Sequence, residues 1–402
     1  MNDLKTSKLP VQDIPSDDLD PYQAAPQELR DVWKSWTKTK APFPEVKQKL
    51  QPAQTTIPEG LLVEEFVTFV LEHLFTLFRN DPRGLESFID KCDPHEDGQA
   101  LSMENAVPSG IPDQKSFSKE AFMHYARSTF VQPIQACCNV RSSLSRASTV
   151  TRISGLIFLP DLLPPIVQQC LLDMLLHREF SKPENQTNFH LNYYVSYPDN
   201  QASFFSTLPH LSSLTPKDPA QNKPLSNRTA LDKSLHWITL GGQYDWTNKV
   251  YPAEAPPKFA EDIASLVGNI FTDMIPEAAI INVYSAKDKL SMHRDVSEEA
   301  DRGLVSISLG CSCIFIIGMQ DKTTGEILYE TLRLNSGDAV YMAGESRYAW
   351  HGVPKIVPDT CPEYLQYWPG NLYPQWSEWM SKKRINLNIR QMFESGVVGH
   401  DS

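Results

Sequence analysis

Between Arg384 and Gln391 the chain reads Arg-Ile-Asn-Leu-Asn-Ile-Arg-Gln, a strict alternation of polar and aliphatic side chains. A period of two specifies a β-strand with one apolar face, so the sequence predicts a half-buried strand here. The polar face is unusual. Exposed faces mix charges of both signs, whereas this one offers two arginines and two asparagines, only donors and amides. Guanidinium binds carboxylate bidentately, so such a face suits a ligand with a carboxylate at each end.

Upstream, His293-Arg294-Asp295 sets an imidazole and a carboxylate two residues apart, which an extended strand directs to one face. A surface pair or a satisfied core histidine would read the same way. His351 ends a stretch, Ser336 to His351, that reads as turn, strand and second turn, so a neighbouring strand can deliver it as a third ligand. Two imidazoles and one carboxylate on one side of an octahedron make the facial triad of non-haem Fe(II) oxygenases. The dicarboxylate that suits such a site is 2-oxoglutarate.

Five stretches, in order, carry a resemblance. They are Asn282-Val283-Tyr284; Leu290-Ser291-Met292-His293-Arg294-Asp295; Ser306-Ile307-Ser308-Leu309-Gly310; Gly337-Asp338 with Gly344, Ser346-Arg347 and His351; and Arg384-x-Asn386-x-x-x-Arg390. Together they resemble the AlkB-type Fe(II)/2-oxoglutarate dioxygenases, most of all the first AlkB homologue subgroup of eukaryotes. The likeness is densest from about Trp237 to Gln391; Asn388 departs from it, standing where threonine is usual.

The resemblance implies that His293, Asp295 and His351 bind Fe(II). It places Arg384 and Tyr284 at the distal carboxylate of 2-oxoglutarate, and Asn282, Asn386 and Arg390 nearer the metal. Trp237 and Tyr244 fall in its substrate lid, although tryptophan and tyrosine in a short strand also serve as sheet packing. Ser297 replaces an acid of the bacterial repair enzyme, and Arg347 is either a support near the metal or a structural ion pair. The implied reaction consumes 2-oxoglutarate and dioxygen and removes an N-methyl group from a nucleobase as formaldehyde, with succinate and carbon dioxide as co-products. A hydroxylase or demethylase of a basic protein such as a histone, and a non-enzymatic scaffold, are the competing readings.

The domain expectation follows the text of the chain. Residues 1–60 are rich in Pro, Asp, Lys and Gln and are expected to be mostly disordered, apart from a helix around Gln27–Thr37 whose Trp33 and Trp36 dock on the body. Residues 61–150 form a helical region and connector. Its apolar run at 61–79 reads as a buried helix rather than a membrane span, because Glu64, Glu65, Glu72 and His73 interrupt it. A second helix is expected at 117–131 and a Ser/Thr/Arg connector at 141–152. The catalytic domain, 151–395, opens with a strand at 155–160 and an amphipathic helix at 164–180. A loop-rich insertion at 184–230, a helix at 261–275 and a series of strands follow. This is an α+β fold: a double-stranded β-helix, or jelly roll, with flanking helices and a helical, partly disordered N-terminal extension.

Charge bears on partners. The net charge is −12 and no whole region is basic, which opposes broad affinity for duplex DNA. Basic clusters are local, at Arg141, Arg146 and Arg152, at Lys223, Arg228 and Lys233, and at Lys382, Lys383 and Arg384. Methylated RNA, folded or single-stranded, is therefore favoured over duplex DNA, while the acidic balance also suits a basic protein. Seven scattered cysteines without zinc spacing point to a reducing interior, cytoplasmic, nuclear or both, with no membrane association.

Overall fold

The computed structural model describes residues 19–39, 51–52, 59–80, 118–120, 122–123, 135, 148–149, 153–245, 251 and 256–394. Of the expected helix at 117–131 only 118–120 and 122–123 are described, helical at 119–120 and 122–123, and of the connector at 141–152 only Ser148–Thr149, a short strand; the rest lies outside these residues. In chain order the main elements are α1 (Gln27–Lys38), β1 (Gln51–Pro52), α2 (Glu59–Asn80), β2 (Ser148–Thr149), β3 (Leu156–Leu159), α3 (Pro165–Asp173), β4 (Tyr193–Val195) and β5 (Leu214–Pro216). Then come β6 (Trp237–Gly241), α4 (Glu261–Ile270), β7 (Ala278–Ser285), β8 (Leu290–His293), β9 (Leu304–Gly310) and β10 (Cys313–Gln320). The last four are β11 (Ile327–Leu334), β12 (Ala339–Met342), β13 (Trp350–Ile356) and β14 (Lys383–Arg390).

Two sheets carry the fold. The larger runs β1-β2-β3-β12-β9-β14-β7-β6 and the smaller β11-β10-β13-β8, while β4 and β5 pair as a separate hairpin in the insertion. Neighbouring strands are antiparallel throughout the two sheets. This is the expected jelly roll. The strand at 384–391 differs in one respect, since every residue of β14 is buried rather than alternate ones. Ile385, Leu387 and Ile389 join the core with Ile263, Leu266 and Val267 of α4 and Leu171 and Leu172 of α3. The polar face turns the other way, where Arg390 reaches Asp295 beyond the end of β8. An alternating strand inside a jelly roll thus buries both faces, one against helices and one in the space between the sheets.

The helices are placed by their own chemistry. α4 carries Glu261 and Asp262 in its first turn, favourable at the positive end of the helix dipole, and buries Ile263, Leu266, Val267 and Ile270 at helical spacing. It ends at Ile270, short of the expected 275. The segment at 164–180 was expected to be amphipathic, but Ile166 to Asp173 are all buried, and the chain continues through a widened turn at Met174–Arg178 and a tight one at Glu179–Ser181. It packs on every side, against α2 among others, and so shows no polar stripe. His73 of α2 faces Asp173 of α3 at 3.5 Å, and Asp173 also accepts from Trp368 Nε1 at 2.6 Å. No described helix is long and apolar enough to cross a membrane.

α1 lies on the outer face of the smaller sheet. Its Leu29 is fully buried and packs in one cluster with Ala25 and Trp350, against Met292 and Ile327. Gly318 of β10 makes this possible, because a Cβ there would stand 2.6 Å from Leu29 Cδ2. Trp33 Nε1 donates to the Leu290 carbonyl at 2.9 Å, so the expected docking of this helix occurs on the strand that leads to His293.

Candidate metal centre and co-substrate pocket

His293 and His351 are direct cross-strand partners of β8 and β13, with a register shift just past the pair. Their ring centroids lie 4.3 Å apart. Asp295 sits just beyond the end of β8. Its two carboxylate oxygens lie 3.8 Å from His293 Nε2 and 3.9 Å from His351 Nε2. One ligand atom from each of the three falls within 4.8 Å of the others. Both imidazoles are oriented alike. Nδ1 of His293 faces the Ser291 carbonyl at 3.0 Å, and Nδ1 of His351 faces the Ala349 carbonyl at 3.1 Å. Donation from Nδ1–H leaves the Nε2 lone pair of each ring turned to the common centre, the tautomer a metal ligand needs.

The arginine face of β14 stands across from this centre. By register, Arg384 pairs with Tyr284 and Asn386 with Asn282, while Trp237 of β6 pairs with Asn282. Residues paired in an antiparallel sheet share a face, so all five project to one side. Asn386 donates to Ser306 Oγ at 2.9 Å and to the Ile307 carbonyl at 3.1 Å. Arg384 is 1% exposed, and one of its nitrogens donates to Ser308 Oγ at 3.1 Å. Its Nε and Nη1 are buried without a partner, as is the Tyr284 hydroxyl beside it.

Arg390 serves the metal side. Its Nη2 lies 3.4 Å from Asp295 Oδ2 and its Nη1 donates to Glu298 at 2.9 Å, leaving Nε buried without a partner. Glu298 also accepts from Arg347 at 2.8 Å, and Arg347 donates to the backbone carbonyls of Asp295, at 2.7 Å, and Arg302, at 2.9 Å. The two readings of Arg347 therefore merge: it is a buried ion pair, and it pins the loop that carries Asp295.

A family model described as the 2OG-Fe(II) oxygenase superfamily matches residues 189–390. The N6-methyladenosine RNA demethylase ALKBH of Cryphonectria parasitica is 49% identical over 220 residues, half of this chain and 98% of the relative. That coverage and identity decide the family. The chain belongs to the 2OG-Fe(II) oxygenase superfamily and is of AlkB type. Similar too are the N6-methyladenosine RNA demethylase ALKB1 of Pyricularia oryzae, 48% identical over 60% of this chain and 75% of the relative, and the tRNA demethylase abh1 of Schizosaccharomyces pombe, 37% identical over 61% and 82%.

A 2OG-Fe(II) oxygenase uses Fe(II), 2-oxoglutarate and dioxygen, and the residues present fit that set. A buried guanidinium with two unpaired nitrogens costs several kcal/mol, and an entering carboxylate removes that cost. The electrostatics agree. Burial pushes the Asp295 carboxyl up, but Arg390 and the two imidazoles more than reverse this and hold it well below the usual carboxylate range. Glu298 is lowered in the same way, burial being outweighed by Arg390 and Arg347. Burial, with His293 alongside, pushes His351 down to about 4, so the ring is neutral near pH 7 and free to ligate. Burial lifts the Tyr284 phenol to about 12 against the pull of Arg384, so it stays a hydrogen-bond donor.

The Tyr244 hydroxyl lies 3.4 Å from Ser297 Oγ. Two further residues at the centre carry no distinctive signal of their own in the sequence. Glu298 stands beside the exposed Glu299, and nothing local tells which of the two is buried. Tyr251 meets Tyr244 edge-on at 5.2 Å, and its buried hydroxyl, without a partner, lies in the field of Arg390, Glu298 and Asp295. The aromatic bias of the segment was the available signal for it.

Proposed function

We propose that this chain oxidatively demethylates N-methylated bases in nucleic acid, RNA in preference to duplex DNA. The observation that carries the reading is the convergence of His293, Asp295 and His351 opposite the unpaired donors of Arg384 and Tyr284. The names of the relatives, two RNA demethylases and a tRNA demethylase, support a methylated RNA substrate.

His293, Asp295 and His351 would hold the iron, which when bound supplies the oxidation of the methyl group by dioxygen at the expense of 2-oxoglutarate. Arg384 and Tyr284 neutralise and orient the distal carboxylate of the co-substrate, and Arg390, through Nε, remains available to its other end. Glu298 and Arg347 keep Asp295 in place while this happens. Trp237, Tyr244 and Tyr251 offer aromatic surface next to the centre, which suits a base turned out of its stack. Ser297, tethered to Tyr244, offers a hydroxyl where the bacterial enzyme has an acid.

The test is to incubate the purified chain with Fe(II), ascorbate and 2-oxoglutarate in the presence of methylated RNA, methylated single-stranded and duplex DNA, or methylated basic peptides. Succinate, formaldehyde and loss of the base methyl group are then measured together. Turnover on RNA above all other arms is expected. Stimulation by peptides alone, or by none of them, overturns the proposal.

A further inference from the structure

Two basic clusters that lie apart in the sequence, one ending at Lys233 and one opening at Lys382, meet in the structure. They are joined by the buried ammonium of Lys383, whose Nζ donates to the Asp232 carbonyl at 2.6 Å and to Ser285 Oγ at 2.8 Å. Lys383 and Ser285 are also cross-strand partners at the ends of β14 and β7, and β6 begins alongside, with Trp237 opposite Asn282. Three neighbouring strands therefore end together. The segments that leave them carry Lys233 and His236 before β6, Lys287 and Lys289 between β7 and β8, and Lys382 before β14, all five exposed.

The four lysines have no ion-pair partner among the described residues. The acids on the same segments are Asp232 and Asp288, and both are engaged. Asp232 meets Arg228 at 3.7 Å and Asp288 accepts from the Ser285 amide at 2.7 Å, while both lie in the field of Lys383. Beside them only Glu378, exposed and four residues before Lys382, is an uncommitted carboxylate on these segments. A local concentration of one sign attracts an oppositely charged partner even on a chain whose net charge is −12. Ammonium groups spaced along an edge suit a polyanion with a charge at every unit, which lysine binds as a point charge without reading its sequence. The edge also leads to the metal centre. Lys289 directly precedes β8, and four residues of extended chain, about 13 Å, separate it from His293.

We propose that Lys233, Lys287, Lys289 and Lys382 form a phosphate-binding ridge that holds the RNA backbone flanking the reacting nucleotide. The ridge stands on the strand ends and their charge; that its polyanion is RNA rests on the function proposed above.

The full chain is titrated with a fluorescent, unmethylated single-stranded RNA, followed by anisotropy over a range of salt concentrations, without iron or 2-oxoglutarate. Each phosphate contact on a single strand adds about 0.7 to the salt slope of log affinity. The triple variant Lys287→Ala, Lys289→Ala, Lys382→Ala should therefore lose roughly 2 from that slope and bind about tenfold or more weakly near 0.1 M salt. The triple variant Lys119→Ala, Lys258→Ala, Lys322→Ala removes the same charge from exposed positions elsewhere and should bind as the wild type. In turnover of a methylated RNA, the ridge variant should show a raised KM for RNA with an unchanged kcat and an unchanged KM for 2-oxoglutarate. Wild-type affinity and slope in the ridge variant, or an equal loss in the control variant, overturns the ridge. Binding of poly-glutamate in place of RNA assigns this edge to an acidic protein and overturns the proposal as well. RNA held through the ridge but not demethylated overturns the reading of the reaction instead, and the ridge stands.

Discussion

Glu298 is shared between Arg347 and Arg390, and it is the anion that lets two buried arginines stand beside the Asp295 carboxylate. Glu298→Gln keeps the shape and removes the charge, so the excess positive charge next to Asp295 opposes a divalent cation. Support groups of this kind are worth about 10–100-fold in metal affinity, and a decrease in that range is expected on titration with Co(II) or Mn(II). Wild-type affinity in Glu298→Gln would show that the pair only holds the fold. Arg384 allows a separate prediction. Replacing its planar fork by a single ammonium in Arg384→Lys removes the bidentate grip, which should raise the KM for 2-oxoglutarate by roughly 10-fold or more with a smaller change in kcat. An unchanged KM would place the co-substrate elsewhere.

At the scale of elements, α1 is a splint on the ligand strands. Met292 and Trp350, which it covers, are the immediate chain neighbours of His293 and His351 on the opposite face of the same strands. Arg294 also points outward, stacking on Trp350 at 4.5 Å and donating to Gln23. Leu29→Ala should cost about 2–5 kcal/mol if α1 is docked throughout, and less if the helix lifts off first. In either case the β8 amides should exchange faster with deuterium while those of β14 do not change. Equal acceleration in both sheets would refute a local role. The strands themselves were legible from sequence because a period of two is a local property, but the strand expected to carry both His293 and Asp295 ends at His293, and Asp295 reaches the centre from the loop that follows. The place of α1 was not legible, since it depends on Gly318, almost three hundred residues away in the chain. Glu298 was hidden for the same reason, its partners being 49 and 92 residues distant.

Across the whole molecule, the two sheets are joined at the site by groups that remain unsatisfied until their ligands arrive. Two imidazoles face one carboxylate, and two arginines hold nitrogens without acceptors. Such a centre should make stability depend on loading, and in a fixed order. A ligand at 100 times its dissociation constant adds about 2.7 kcal/mol to the folded state. For a domain of this size that is roughly 5–10 °C in Tm. Mn(II) should raise Tm first, and 2-oxoglutarate should add a further rise when Mn(II) is present but little without it, because one end of the co-substrate binds the metal. His293→Ala should fold with nearly the wild-type Tm in the absence of metal, its side chain being about a third exposed, and should lose both increments. If 2-oxoglutarate stabilises the wild-type protein equally with and without Mn(II), the arginine face binds dicarboxylates independently of the triad. The two halves of the site would then be separate binding sites rather than one oxygenase centre.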